Sequence, residues 1–407
     1  MKYVLTFIAI AFAFSVGFAQ KTHNDSIKNN DVKLSALPYY SYGKGLGVTS
    51  ADSLFQLNIR FRMQNRVTYI EEDDTAARYE AQIRRLRLRL DGYVFNPQFL
   101  YVIQLSFAPG DVGQVHEGDN INIIRDAVFY YRPNKHWNFL FGQTKLPGNR
   151  QRVNSSGALQ LTDRTINNAR FTIDRDFGVQ AYYLNEKKDE FSYAVKTAIS
   201  TGEGRNWTKT SDDGVALTGK IEFMPFGTFS NNGVYFEGDV AREQTPKLMI
   251  SGAYQQNNKA VRTNGQLGNV LYEPRTLRSY FLDAMFKYKG WAFMSAYMQR
   301  SADDLITYNP DDITEYNYVQ AGNGMDYQAS YIFKNNFEVI GRFSYQNMNT
   351  AIKALTPDLK QYSIGVTKYI REHSFKLQAE LTYNELEYFS GITKDNWYVR
   401  AQLEIGI

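Results

Sequence analysis

Apolar and polar positions alternate along this chain. Phe55, Leu57, Ile59, Phe61 and Met63 are apolar, and Gln56, Asn58, Arg60, Arg62 and Gln64 stand between them, with Arg66 continuing the polar set. Residues 84–94, RRLRLRLDGYV, repeat the pattern: Leu86, Leu88, Leu90 and Gly92 share one face, and Arg85, Arg87, Arg89 and Asp91 the other. A period of two belongs to a strand with two unlike faces. Paired as a hairpin about a loop at 71–78, the two segments gather Arg60, Arg62, Arg66, Arg85, Arg87 and Arg89 on one face and leave the other almost wholly aliphatic and aromatic. Cations at every second position of a strand stand about 7 Å apart and repel one another. The face that carries them must therefore meet water, acidic partners or anions. A barrel wall, with lipid outside and a wet, basic lumen inside, supplies both environments.

The alternation recurs to the end of the chain with no interruption of helical period. It predicts strands at 54–69, 83–95, 99–108, 125–131, 137–144, 177–184, 191–200, 215–224, 247–256, 277–288, 291–300, 321–333, 337–347, 361–369, 374–383 and 397–407, about sixteen in all. Short connections (96–97, 133–136, 185–190, 289–290, 334–336, 369–373) alternate with long ones (71–78, 109–124, 145–176, 201–214, 257–276, 301–320, 348–360, 384–396). Outer-membrane barrels place short turns in the periplasm and long loops outside the cell in this order. Residues 225–246 break the rule, being long and Gly-rich at a periplasmic position; the pattern gives no reason for it. Near the end of the chain Phe337, Val339 and Phe343 point outward and Glu338, Arg342 and Ser344 inward, and the strand at 397–407 suits closure against the first. The expected fold is all-β: a transmembrane antiparallel β-barrel of about sixteen strands.

The N-terminus adds an address. Lys2, the apolar residues 4–16 and the small-residue site Gly17-Phe18-Ala19 read as a secretory signal peptide at 1–19, with the mature chain starting at Gln20. That apolar run is too short to span a membrane as a helix. The expected division is signal peptide 1–19, polar periplasmic leader 20–51 and barrel 52–407, in the outer membrane of a Gram-negative bacterium. With no cysteine the chain has no disulfide, no Cys-based metal site and no lipoprotein anchor. Aromatic residues make up 15 %, with 30 Tyr and 27 Phe, which suits girdles at two membrane interfaces. The net charge of +4 says less than where the charges stand.

The third long connection, 145–176, carries Lys145, Arg150, Arg152, Arg164, Arg170 and Arg175 against Asp163, Asp174 and Asp176, with Ser155, Ser156, Thr162 and Thr165 among them. In a barrel of this size the third extracellular loop is expected to fold inward and narrow the lumen, where hydroxyls replace part of an anion's hydration. The candidate pore-lining and anion-binding residues are thus Arg60, Arg62, Arg66, Arg85, Arg87, Arg89, Lys145, Arg150, Arg152 and Arg164. A guanidinium fork fits an oxyanion bidentately, and several modest sites in a row let an anion hop where one tight site would trap it. A second reading stands beside this one. Inward-facing Glu338, Glu380 and Glu404 and the loop aspartates pair with the arginines and leave a general, weakly selective pore. A third, an outer-membrane hydrolase, needs a Ser–His or Asp–His constellation. His23, His116, His136 and His373 fall in the leader, a loop and two turns, none beside a serine on a strand face. No His cluster offers a metal site, residues 71–74 read as a solvated acidic loop, and no cofactor or nucleic-acid partner is expected.

Several segments resemble the phosphate-selective porin O/P family. They are the arginine-rich strand 84–92, Asp126-Ala127-Val128, Gly142-Gln143-Thr144-Lys145-Leu146-Pro147, Leu161-Thr162-Asp163-Arg164 and Arg175-Asp176-Phe177-Gly178-Val179-Gln180. They occur in the family's order across the N-terminal half. The resemblance implies a sixteen-stranded homotrimeric barrel in outer-membrane lipid that passes small anions, phosphate or other oxyanions, by diffusion through an arginine-lined lumen.

Overall fold

A computed structural model describes residues 45–73, 75–112, 122–206 and 214–407. The expected signal peptide, the leader up to residue 44, and His23 and His116 lie outside the described residues. The strands in chain order are β1 (Leu46–Thr49), β2 (Phe55–Glu72), β3 (Arg78–Val94), β4 (Asn96–Ser106), β5 (Ile124–Tyr131), β6 (Trp137–Lys145), β7 (Arg175–Asn185), β8 (Ser192–Ser200), β9 (Ala216–Met224) and β10 (Lys247–Arg262). They continue with β11 (Val270–Tyr288), β12 (Trp291–Ala302), β13 (Ile306–Tyr308), β14 (Tyr316–Tyr318), β15 (Gly322–Ile332), β16 (Phe337–Met348), β17 (Asp358–Arg371), β18 (Phe375–Glu387) and β19 (Thr393–Gly406).

Each strand from β2 to β12 and from β15 to β19 pairs antiparallel with its neighbour, and β19 closes on β2 from Asn396↔Glu72 to Gly406↔Arg62. The result is a closed barrel of sixteen strands. Closure satisfies every ladder group without an exposed edge, which lipid demands. The predicted faces hold: Ile59, Phe61, Val67, Ile103, Val179, Ile199, Leu282 and Ile364 are exposed, while Arg60, Arg62, Arg66, Arg85 and Arg89 are buried. Aromatic rings gather at the two ends of the wall. At the short-turn end Phe99 lies 5.1 Å from Tyr131 and Trp291 4.8 Å from Tyr331. At the other end Tyr69 lies 5.0 Å from Tyr79 and 5.3 Å from Trp397.

Three features differ from the sequence pattern. The end of the predicted leader forms β1, which pairs Leu46 with Ile59 along β2 beyond the reach of β19. The expected loop 257–276 is largely a continued ladder, with Ala260 opposite Arg275 and Arg262 opposite Val270. There the regular alternation stops, with Lys259, Arg262, Glu273 and Arg275 among the buried apolar Ala260, Val261 and Leu271, yet backbone pairing continues. Within 301–320, β13 and β14 form a small separate hairpin.

The long β9–β10 connection now has a physical account. Lys287 of β11 donates to the carbonyls of Gly233 (2.8 Å) and Phe236 (2.9 Å), and Asp239 accepts from the Gly290 amide. Glu237 accepts from Gln151, from the Gln160 amide and from Gln328, while its own amide donates to the Ala158 carbonyl. This connection is long because it reaches the β6–β7 connection and hydrogen-bonds to it.

Candidate functional site

The site begins on the β2–β3 ladder. Register sets Arg60 opposite Arg89 and Arg62 opposite Arg87, an arrangement of like charges that is destabilising unless acids intervene. They do. Asp91 pairs with Arg60 at 3.1 Å and Arg89 at 3.0 Å, Asp111 with Arg87 at 2.9 Å and Arg125 at 3.0 Å, and Glu404 lies 3.7 Å from Arg62. Asp111 comes from α1 (Pro109–Val112), a single turn after β4.

One arginine of this cluster is invisible to the alternation. The register shifts so that Gln64 pairs with Arg85 and Asn65 with Ile83, which leaves Arg84 as the extra residue of a β-bulge. Bulges re-aim side chains. Strict alternation would send Arg84 to lipid with Leu86; the bulge brings it to the carboxylate that also holds Arg85.

That carboxylate is Asp163. It lies 2.7 Å from Arg66, 3.0 Å from Arg84, 3.5 Å from Arg85 and 3.9 Å from Arg400. Burial alone would raise its pKa, but Arg66, then Arg84 and Arg85, hold it well below the usual carboxylate range. Asp174 is likewise held low against its own burial, by Arg152 and Arg175. A depressed carboxylate contributes its pairing above the unfolded value of about 4 and loses it only as pH falls through the lower folded value. Both clusters therefore persist through the ordinary acid range.

Asp163 belongs to the β6–β7 connection, which contains α2 (Arg150–Val153) and α3 (Ile166–Phe171). Its backbone is hydrogen-bonded by many strands. Lys220 of β9 donates to the Gly148 carbonyl, Lys376 of β18 to Gly157 and Leu159, Thr367 of β17 to Gln160, and Arg66 of β2 to Thr162. Arg342 of β16 donates to the Asp163 carbonyl, and Glu380 of β18 accepts from the Thr162 amide. Thr165 caps α3 by accepting from the Asn168 amide, and Arg300 of β12 donates to the carbonyls of Arg170, Phe171 and Thr172 at its other end. Those last carbonyls have no partner within the helix, so a guanidinium fork there meets both their lone pairs and the helix dipole. Two strand glycines admit the connection: a Cβ at Gly324 would stand 2.0 Å from Asn167 Oδ1, and one at Gly365 2.3 Å from Leu161.

The remaining expected site residues are placed as follows. Lys145 donates to the Val153 and Asn154 carbonyls, and Arg164 to those of Gln151 and Asn154. Arg152 pairs with Asp174 at 2.5 Å, and Arg62 and Arg87 both donate to Ser156. Arg150 is drawn away from the β2–β3 cluster into an ion pair with Glu222 of β9. Of the three inward glutamates, Glu404 and Glu380 approach arginines (Arg62, and Arg400 at 3.7 Å), whereas Glu338 accepts from Gln160 and Tyr369 instead. Asp176 accepts from Thr201 and from the amides of Gly202 and Gly204.

Sequence reasoning missed Arg84, Arg400, Arg125, Asp111 and Glu222. The alternation places Arg400 inward on the last strand and Glu222 inward on β9; it does not place Arg84 there.

Among the described residues, the arginines of β2 and β3 pair with six carboxylates: Asp91, Asp111, Asp163 and Glu404 meet Arg60, Arg62, Arg66, Arg84, Arg85, Arg87 and Arg89, while Glu72 and Glu80 meet Arg78 at the start of β3. Six acids thus serve eight arginines, and Asp111 is shared with Arg125 as well.

Comparison with solved structures gives the same architecture. The outer membrane channel DcaP of Acinetobacter baumannii superposes with a TM-score of 0.55 at 15 % identity, over 89 % of this chain and 99 % of that one. OmpF of Salmonella typhi, in complex with daunomycin, gives 0.54 at 12 %, over 88 % and 100 %. An anion-selective porin from Comamonas acidovorans gives 0.52 at 11 %, over 86 % and 100 %. No curated protein sequence matches the chain. These likenesses show the barrel fold; the role of an outer-membrane porin comes with the family. The family model described as phosphate-selective porin O and P matches residues 55–388, and the chain belongs to that family.

Proposed function

We propose that this porin passes small anions, phosphate or other oxyanions among them, and that residues 145–176 fold into the lumen and line its constriction together with the arginines of β2 and β3. The observation that carries the reading is the surplus of guanidiniums: among the described residues, six carboxylates for the eight arginines of β2 and β3 leave a net positive surface. Such a surface raises the local concentration of anions and repels cations. The inward fold is supported by the hydrogen bonds that join 145–176 to β2, β9, β12, β16, β17 and β18, strands on different sides of the barrel. The homotrimer implied by the family resemblance belongs to the same reading.

The pairing of each acid with one or more arginines favours the competing reading of a weakly selective pore. Zero-current potential in a planar bilayer under a KCl gradient separates the two. A potential near the chloride limit is expected; a value near zero would mean that the charges cancel. The combined substitution Arg85→Ala, Arg87→Ala and Arg89→Ala is expected to move the potential toward zero while the barrel still assembles. An unchanged potential in that variant would make these arginines structural only.

A further inference from the structure

The arginines around Asp163 converge on one carboxylate from three strands and a bulge. Arg66 comes from β2, Arg84 and Arg85 from β3, and Arg400 from β19, all within 4 Å of the Asp163 carboxylate. Among the described residues one further acid, Glu380, pairs with the group, at 3.7 Å from Arg400. Four guanidiniums thus face two carboxylates. The cluster also holds more donors than Asp163 can satisfy: among the described residues, the buried Nε of Arg85, Arg342 and Arg400 makes no hydrogen bond. Convergent forks with donors to spare make a receptor for an oxyanion, and what sits in it is an aspartate carboxylate.

The chain leading to that carboxylate is pinned. Arg66 donates to the Thr162 carbonyl at 2.6 Å, Glu380 accepts from the Thr162 amide at 2.8 Å, and Arg342 donates to the Asp163 carbonyl at 3.0 Å. The side chain itself remains reachable, with 24 % of its surface exposed, against 2 % for Arg66 and 5 % for Arg85. Asp163 can therefore swing away on its own χ1 while its backbone stays fixed, and the guanidiniums it leaves are held by their strands.

We propose that Asp163 is a tethered counter-anion: it occupies an oxyanion site built by Arg66, Arg84, Arg85 and Arg400, and each permeating oxyanion must compete with it. The inference rests on the anion-porin reading above. Its physical sense is the balance any conducting site must strike. A four-arginine cluster alone would hold a phosphate or carboxylate too long, and a channel needs sites strong enough to attract and weak enough to release. A carboxylate tethered at millimolar or higher effective concentration weakens the site for every free competitor without removing a single arginine. Release is helped in the same way, because Asp163 returns as the anion departs. Asp163 then sets specificity and throughput, while the arginines supply attraction.

The test is Asp163→Asn, which keeps shape and removes charge, with Asp163→Glu as the variant that keeps the charge. Single-channel current is recorded in KCl with inorganic phosphate or acetate added. For Asp163→Asn the concentration that halves the chloride current is expected to fall by about tenfold or more for both oxyanions, and the zero-current potential to move further toward the chloride limit. Asp163→Glu is expected to stay within about twofold of wild type, well under the factor of ten that 1.4 kcal/mol would give. A response to phosphate but not acetate, or the reverse, identifies the oxyanion the site prefers and still supports the tether.

Unchanged block and potential in Asp163→Asn would overturn the proposal. That outcome leaves the anion-porin reading standing if the wild type is itself anion-selective. An unselective wild type whose Asp163→Asn variant is blocked by phosphate would instead sink the anion-porin reading and keep the tether. If Asp163→Asn does not assemble, refolding is repeated in phosphate and in chloride at equal ionic strength. Assembly restored by phosphate alone means a free oxyanion has replaced the tethered one; no restoration makes Asp163 a structural residue and the proposal false.

Discussion

Glu222→Ala is expected to destabilise the folded barrel by about 3–5 kcal/mol, the usual cost of removing one partner from a buried ion cluster. Glu222 on β9 is 3 % exposed. It meets Lys196 of β8 at 2.7 Å, Lys220 of its own strand at 3.3 Å, and Arg150 of α2 in a direct charge-assisted hydrogen bond. Its nearest acidic relief is Asp283 of β11, 3.7 Å from Lys220 and already accepting from the Arg150 amide. Removal would leave three cations around one acid in a region with little access to water. Glu222→Gln is expected to cost nearly as much, because charge and not volume is lost. Denaturant unfolding of protein folded into lipid vesicles measures both. A loss below about 1 kcal/mol, the range of solvent-exposed ion pairs, would mean that water and salt solvate this cluster from the lumen. Because Arg150 anchors α2, the same variant is expected to make the β6–β7 connection mobile, read as added current noise in channels that still open.

The second large effect lies on the opposite face of the same wall. Leu88→Arg is expected to cost about 2–4 kcal/mol, the penalty for a cation on the lipid face near the bilayer midplane. Leu88 pairs with Phe61 on β2 and Leu105 on β4, and the neighbouring outward residues Ile59, Phe61 and Ile103 are exposed. Leu88→Ala, which keeps the face apolar, is expected to cost far less. Equal tolerance of Arg and Ala at this position would mean that the leucines face the lumen and the arginines the lipid. This variant and Glu222→Ala share no partner and sit on opposite faces, so their effects should add.

Much of the barrel was legible before any coordinates. A strand's side chains alternate with an exact period, so the faces of residues 55–63 and 85–92 could be assigned from apolar and charged letters alone, and exposure agrees at Phe61 and Arg85. Loop lengths gave the alternation of turns, and with it a strand number that closure on β19 and β2 confirms. The failures have physical causes. Beyond residue 256 the β10–β11 hairpin loses the regular period of two, its apolar Ala260, Val261 and Leu271 standing among charged and polar residues, so the letters do not separate a ladder from a loop. The bulge at Arg84 depends on the register between β2 and β3, and register is a property of two strands at once.

The site divides along the same line. The sequence by itself determined that arginines would line the inner wall, because periodicity and chemistry are local. It also marked residues 145–176 as a charged segment of unusual length. Which acid meets which arginine was decided only by tertiary structure: Asp163 meets Arg66 and Arg84 across 97 and 79 residues of chain, and Arg150 leaves the arginine wall for Glu222, 72 residues away. The anomalous segment 225–246 likewise made sense only once Glu237 was seen to bond Gln151, 86 residues earlier. Coulombic pairing falls off within a few ångströms, while the chain closes loops of almost any length at little extra cost. Charges along a sequence therefore fix what can be attracted, and the closed barrel fixes which of them touch.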